Sequence, residues 1–233
     1  MFSAIAPTYD LLNRLLSFGV DRRWRRTLVE HLPAGPVQVL DLACGTGDVA
    51  LEIARARPQA RIAGADFTLG MLRGAQAKIA GTGWGGRITL QNAAAEDLPY
   101  RDRTFDAVTL AFGIRNVVGR ERALAEMLRV LRPGGQVLLL DFSVPPHPVV
   151  RILYDLYFRR LLPLIGGLIS GHRDAYRYLP ASVAAFPPRG EFAAMMETQG
   201  FSKVTHRDLT LGVATLYRGW RGRGAAGALP RVG

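Results

Sequence analysis

Apolar residues recur along this chain with two periods, and the order in which the periods alternate lays out the architecture. Near the start, Tyr9, Leu12, Leu15 and Leu16 repeat at helical spacing. A second helical stripe, Trp24, Leu28 and Leu32, ends before Pro33-Ala34-Gly35-Pro36. Residues 1–36 are therefore expected to form a helical cap. Beyond them, short aliphatic runs alternate with longer segments of helical period: Val37–Leu42 reads as strand, Asp48–Arg57 as helix, Arg61–Ala65 as strand and Leu69–Ala80 as helix. Ile88–Asn92 and Phe105–Ala111 read as further strands. Leu124, Met127, Leu128 and Leu131 then form a helix stripe stopped by Pro133-Gly134-Gly135, and Gln136–Phe142 reads as the next strand. This alternation predicts an α/β fold, a mainly parallel sheet with helices on both faces.

The alternation breaks at residues 144–186, a stretch rich in Leu, Ile, Tyr and Arg that reads as an insertion. A helix follows near Glu191–Thr198, and Ser202–Asp208 and Val213–Trp220 read as two strands joined across Leu209–Gly212. A terminal antiparallel hairpin thus completes a seven-stranded sheet. The glycine-rich run from Gly222 to Gly227, too poor in large apolar residues to pack, predicts a frayed tail over 221–233, leaving 37–220 as the main domain. The longest uncharged run of the insertion, Leu161 to His172, contains Pro163 and a Gly pair. It falls short of the roughly 20 apolar residues a spanning helix needs, so it can lie on a bilayer but not cross one.

Composition narrows the setting. A chain of 233 residues, 48% hydrophobic and 21% charged, can bury one sizeable core. Asp10, Asn13, Arg14, Asp21 and Arg22 interrupt any apolar run near the start, which argues against a signal peptide and for a cytoplasmic protein. Cys44 is the single cysteine, and His31, His147, His172 and His206 stand at no metal-ligand spacing, so neither a disulfide nor a metal is expected. The formal charge of +11 suits an anionic partner, whether nucleic acid, membrane surface or acidic protein, but a solvated cationic surface is the favoured reading, with a bilayer surface next.

The candidate chemistry begins at Asp41-Leu42-Ala43-Cys44-Gly45-Thr46-Gly47-Asp48, where a strand ends in a turn of small residues that opens a helix. Small residues let the backbone approach a ligand lying across the strand ends, and the helix N-terminus offers free N–H groups. Gly45-Thr46-Gly47-Asp48-Val49-Ala50 also fits the G-x-G-x-x-A dinucleotide fingerprint, so the loop alone is ambiguous. Two features favour S-adenosylmethionine. Asp41, ahead of the glycines, can engage the cofactor's ammonium but would repel a diphosphate, and a terminal hairpin after five parallel strands resembles Rossmann-like methyltransferases rather than a dehydrogenase. Cys44 reads as a small loop filler, with no base paired to it.

Asp66, with Phe67 beside it, closes the second strand, where a carboxylate can accept hydrogen bonds from both ribose hydroxyls; a helix N-cap is the alternative. Ala94 and Ala95, after the third strand, are small enough to admit the adenine ring. The fourth strand ends Leu110-Ala111-Phe112-Gly113-Ile114-Arg115-Asn116, without the Asn/Asp-Pro-Pro-aromatic motif of amino-directed nucleic-acid methyltransferases. Arg115 and Asn116 are expected to point into the ligand crevice, the alternative being a buried salt bridge with a cap. Arg22-Arg23-Trp24-Arg25-Arg26 and the Arg-Gly tail motivate a rival nucleic-acid-binding reading, weak because only one aromatic platform is present.

Five separated motifs carry a family resemblance. Ile5–Asn13 with Ser17-Phe18-Gly19 and Trp24-Arg25, Asp41–Asp48, Phe112–Asn116, Tyr176-Arg177-Tyr178-Leu179, and Met195-Met196 with Gly200-Phe201 resemble the ubiquinone/menaquinone biosynthesis C-methyltransferases. The resemblance implies a class I S-adenosylmethionine-dependent methyltransferase that methylates a ring carbon of a polyprenylated quinol. It implies cofactor contacts at Thr46, Asp66, Ala94, Ala95 and Ala111, beside Asp41, Gly45, Gly47 and Phe67, with Tyr9 closing over the cofactor. Ala94 stands where members often carry Asn or Asp, and Ala111 where Ser is common. The menaquinone branch is the closer match, which makes demethylmenaquinol the expected substrate and 2-methoxy-6-polyprenyl-1,4-benzoquinol the alternative.

A ring carbon ortho to a phenolate has partial carbanion character, so loss of the quinol proton enables attack on a sulfonium methyl. Arg115 and Asn116 are the expected catalytic pair, orienting the quinol oxygen and stabilising its phenolate, with Arg115 acting electrostatically because it stays charged. Ile152, Leu153, Leu156 and Tyr157 form an apolar stripe beside Arg151, Arg159 and Arg160, which suits an interfacial helix on anionic lipid; packing against the sheet is the alternative.

Overall fold

The computed structural model describes residues 19–157 and 180–223. Tyr9, Arg159, Arg160, Tyr176-Arg177-Tyr178 and most of the expected tail lie outside the described residues. In chain order the elements are α1 (Asp21–Glu30), β1 (Gln38–Leu42), α2 (Asp48–Ala56), β2 (Arg61–Asp66), α3 (Leu69–Ala80), β3 (Ile88–Asn92) and β4 (Phe105–Ala111). They continue with α4 (Arg120–Val130), β5 (Leu131–Phe142), α5 (Pro148–Leu156), α6 (Arg189–Thr198), β6 (Phe201–Leu209) and β7 (Ala214–Arg221).

These strands make one seven-stranded sheet in the order β3-β2-β1-β4-β5-β7-β6. The first five run parallel, while β7 is antiparallel to both β5 and β6. Successive residues of the central strands face opposite layers, as the pleat requires. Val39, Leu138 and Leu140 join Trp24, Leu28, Ile53 and Ile79 on one face. Leu40, Leu42, Val137 and Leu139 join Leu124, Met127, Phe192 and Met196 on the other. Thus α1, α2 and α3 cover one side and α4 and α6 the other. No helix among the described residues is long and apolar enough to cross a membrane.

The fold class is the one the alternation predicts; most element ends shift slightly, and the start of β5 moves furthest. Leu131, the last member of the expected helix stripe, belongs instead to β5, where it pairs with Phe105 and is fully buried. The strand therefore starts ahead of Pro133-Gly134-Gly135, and the ladder shifts register between Phe105 and Ala107 as Gly134 takes φ +80°. Pairing and burial outweigh a helical spacing that Leu131 happens to continue.

Candidate active site

In a parallel sheet the strand order reverses where the chain departs from β1 in both directions, and the crevice beyond the strand ends is the natural ligand site. Here β1 lies between β2 and β4. A cavity of about 340 Å³ opens at their carboxyl ends, lined by Gly45, Asp66, Phe67, Ala94, Ala95, Ala111, Phe112 and Asn116, with Val118 at its rim. A recess of about 40 Å³ adjoins it, lined by Arg25, Asp41, Thr46 and Asp48. Ala43, Gly45, Ala111 and Phe112 border both. Eight of the expected cofactor positions therefore converge: Asp41, Gly45, Thr46, Asp66, Phe67, Ala94, Ala95 and Ala111.

The loop after β1 is tied by its carboxylates. Asp66 accepts the Gly45 N–H through Oδ2 at 2.9 Å and the Thr68 N–H through Oδ1 at 2.8 Å. It thus closes a turn just ahead of α3, whose N-cap is Thr68, and lines the cavity, so the N-cap alternative for this residue does not hold. Thr46 Oγ1 accepts from Lys78 Nζ at 2.8 Å, and the same ammonium reaches Asp48 at 2.8 Å. Gly47 lines neither space; at φ +83° it packs on α3, where a Cβ would come within 3.3 Å of Ala75 Cβ. Its small size serves the close approach of loop and helix.

Asp41 is almost fully enclosed in β1. Its Oδ1 accepts the Thr109 hydroxyl at 2.8 Å, while Oδ2 is buried without a hydrogen-bond partner. Burial pushes its pKa up to about 7, against the lowering effect of the Thr109 bond. A buried acceptor with an empty lone pair is costly unless a ligand donor completes it. Burial also raises the neighbouring Cys44 thiol well above its ordinary value, which keeps it protonated as a filler.

The two strands flanking the crevice each end on a non-glycine residue in the left-handed region: Ala43 at φ +48° after β1 and Phe112 at φ +60° after β4. Such strain persists where the surroundings over-determine it. Phe112 is held in an aromatic cluster with Trp24 and Phe142, at centroid distances of 6.1 and 5.0 Å. Trp24 Nε1 in turn donates to Thr210 Oγ1 at 2.8 Å. Because Trp24 is buried in this cluster, it offers no platform for a nucleobase, which removes the one aromatic feature behind a nucleic-acid reading.

Arg115 and Asn116 part company in the turn that follows β4. Asn116 lines the cavity. Arg115 does not: its Nη1 donates to Asp141 Oδ1 at 2.5 Å and to the Phe112 carbonyl at 2.6 Å. Its main-chain N–H reaches Asp141 Oδ2 at 3.1 Å, and the guanidinium lies over the Phe142 ring. The geometry is the buried salt bridge that stood as the alternative for this residue.

A methyltransferase fold alone leaves substrate and reaction open, and comparison with known proteins closes part of that gap. Residues 1–221 match the model of the ubiE/COQ5 methyltransferase family. The chain belongs to this family. It is 54% identical over 224 residues to a ubiquinone/menaquinone biosynthesis C-methyltransferase UbiE of Geobacter sulfurreducens, covering 95% of this chain and 87% of that one. It is 51% identical over 222 residues to the demethylmenaquinone methyltransferase of Thermus thermophilus, covering 95% of this chain and all of that one, 100%. Among solved structures, phosphoethanolamine N-methyltransferase 2 of Haemonchus contortus, in complex with S-adenosyl-L-methionine, superposes with a TM-score of 0.64 at 12% identity. The match covers 86% of this chain and 52% of that one, a likeness of fold.

As a member of this family the chain is an S-adenosylmethionine-dependent methyltransferase, and its cleft suits that cofactor. The unsatisfied Oδ2 of Asp41 matches an ammonium, Asp66 a ribose, and the small side chains of Ala94 and Ala95 a flat ring. Sequence reasoning gave Arg25 and Phe112 no place at the cofactor site, although both lie within motifs quoted for the family. Arg25 needed the docking of α1 to reach the recess, and Phe112 gave no sign of its left-handed backbone.

Proposed function

We propose that the chain transfers a methyl group from S-adenosylmethionine to a ring carbon of a polyprenylated quinol, with demethylmenaquinol as the substrate. The reading is carried by the cavity: it is mainly apolar, adjoins the cofactor loop, and places Asn116 on its wall. The names of the two relatives support quinone chemistry, and the Thermus thermophilus enzyme supports the naphthoquinol. The Geobacter sulfurreducens name keeps 2-methoxy-6-polyprenyl-1,4-benzoquinol as the second substrate to test.

When bound, the cofactor supplies an electrophilic methyl on its sulfonium. Asn116 orients the quinol oxygen by hydrogen bonding and favours the phenolate, whose proton passes to water; the ortho carbon takes the methyl as the sulfonium S–C bond breaks, and loss of that carbon's own proton to water restores the aromatic ring. Arg115, committed to Asp141, is a positioning residue: it anchors the Phe112 carbonyl and thereby the turn that presents Asn116. Small walls at Ala94, Ala95 and Ala111 leave the ring planes room to stack in line.

The prenyl chain calls for an apolar path, and the exposed face of α5 supports a peripheral contact with the inner face of the membrane. Val149, Ile152, Leu153 and Leu156 are exposed on this helix, with Arg151 beside them. Tyr154 turns inward to the core, and Tyr157 is half-buried. Purified protein given S-adenosylmethionine and each quinol should add one methyl to the naphthoquinol by mass spectrometry. No methylation of either quinol would overturn the proposal.

A further inference from the structure

The recess beside Asp41 contains a cation that the cofactor reading has not used. Arg25 projects from α1 into this space and lines it together with Asp41 and Thr46. It is one of the few charged side chains that are nearly enclosed. Its Nη1 reaches Asp21 at 2.7 Å and Asp48 at 3.0 Å. Among the described residues no other nitrogen of Arg25 has a partner, so Nε and Nη2, three of its five N–H donors, are uncommitted. The guanidinium lies over the Phe112 ring, 5.7 Å from its centroid, which restrains its plane.

Two opposite charges thus border one small space. On one side is the buried Asp41 carboxylate, with Oδ2 unpartnered; on the other is a guanidinium with an open edge. The recess, at about 40 Å³, has room for about three water-sized groups. That is the size and charge pattern of an α-amino acid head group, an ammonium and a carboxylate on one carbon. The larger cavity, reached past Gly45 and Phe112, takes the nucleoside.

We infer that Arg25 binds the carboxylate of the cofactor's methionine moiety while Asp41 takes its ammonium. The inference rests on the proposed cofactor use and adds a residue of the N-terminal helical segment to the site. A planar fork pairs with a carboxylate through two parallel N–H bonds, which a lysine cannot reproduce. Asp21 and Asp48 hold Nη1 and set the fork's direction. Because Trp24 and Arg25 are adjacent, burial of the indole against Phe112 and Phe142 places the guanidinium at the recess.

Binding calorimetry with two ligands isolates the contact: S-adenosylmethionine, and decarboxylated S-adenosylmethionine, which keeps the ammonium and the sulfonium but lacks the carboxylate. The native protein should bind the decarboxylated ligand at least tenfold more weakly. Arg25→Met should weaken S-adenosylmethionine by a similar factor and leave the decarboxylated ligand within about threefold, so the discrimination collapses. Arg25→Lys, which keeps the charge and the fold, should retain only part of it. Equal affinity of the native protein for the two ligands, or equal losses for both in the variants, overturns the inference and leaves Arg25 as a structural ion pair. Failure of the native protein to bind either ligand instead overturns the cofactor reading.

Discussion

Arg115 and Asp141 form a buried ion pair directly behind the cavity wall, with Nη1 and Oδ1 2.5 Å apart and both side chains nearly inaccessible to solvent. The adjacent residue, Asn116, faces the cavity. One turn therefore carries a structural charge pair on its inner side and a cavity-lining residue next to it.

Removing one member of the pair strands the other. Arg115→Ala leaves Asp141 as an uncompensated buried carboxylate, with the Phe142 N–H as its remaining donor to Oδ1. The expected loss is about 3–5 kcal/mol of unfolding free energy, read by urea denaturation. Turnover should fall with it, because the turn bearing Asn116 loses its anchor at the Phe112 carbonyl. A variant of unchanged stability and abolished turnover would instead make Arg115 a residue that meets the substrate.

Asn116→Ala should separate chemistry from binding. Because Asn116 is assigned to the quinol oxygen and has no place in the Arg115–Asp141 pair, S-adenosylhomocysteine affinity should stay within about threefold while kcat falls on the order of 100-fold. A matching loss of cofactor affinity would put Asn116 on the cofactor rather than on the quinol.

Asp41 makes the site pH-sensitive in a defined direction. Its folded pKa of about 7 lies above the ordinary carboxylate value, so the folded protein favours the protonated form. Its contribution to stability is complete below the ordinary value and is lost as pH rises through about 7, by up to about 4 kcal/mol. Ligand binding runs the other way, since an ammonium prefers the ionised carboxylate. Affinity for S-adenosylhomocysteine should rise toward about pH 8, by at most about tenfold per unit below 7. Calorimetry across this range should show the rise in the native protein and a flat, weaker response in Asp41→Asn.

Gly113 tests how tightly the two strand ends are pressed together. A Cβ there would lie 2.7 Å from Ala43 Cβ and 3.1 Å from Leu110 Cδ2. Ala43 and Phe112 on either side already sit at positive φ, which leaves little freedom to yield. Gly113→Ala should cost about 1–3 kcal/mol of stability and open the neck between the two spaces, weakening cofactor binding in calorimetry. Native stability and affinity would show that the strand ends move apart freely.

Much of this site could be read from the chain because parallel strands end where ligands bind. Asp41, Gly45, Thr46, Asp66, Ala94 and Ala95 sit at or just beyond the ends of strands whose aliphatic runs are plain, so topology alone gathers them. What escaped depended on side-chain direction or docking. Arg115 and Asn116 are neighbours in one short turn, Ile114–Asn116, and no periodicity tells which faces the cavity. Arg25 reaches the recess because α1 packs against the sheet through Trp24 and Leu28, a contact that helical spacing implies only as a buried stripe. Leu131 continued a helix stripe by spacing while belonging to β5 by pairing.

The exposed large hydrophobic side chains among the described residues cluster at the carboxyl ends of the parallel strands. Phe67 and Leu69 follow β2, Val118 follows β4, Val149, Ile152, Leu153 and Leu156 belong to α5 after β5, and Leu211 lies in the turn after β6. This end of the sheet also bears the cavity, so a bilayer contact here would bring the cleft to a lipid-dissolved substrate without extracting it. Arg151 on α5 favours anionic headgroups. Replacing Ile152 and Leu153 together with Asp should remove about 2 kcal/mol of interfacial burial, roughly thirtyfold in partitioning. Flotation with phosphatidylglycerol vesicles should show that loss. Turnover of a short-chain quinol in detergent-free buffer should persist, because these two side chains lie outside the cavity wall. Equal flotation of native and variant protein would assign the α5 stripe to another role.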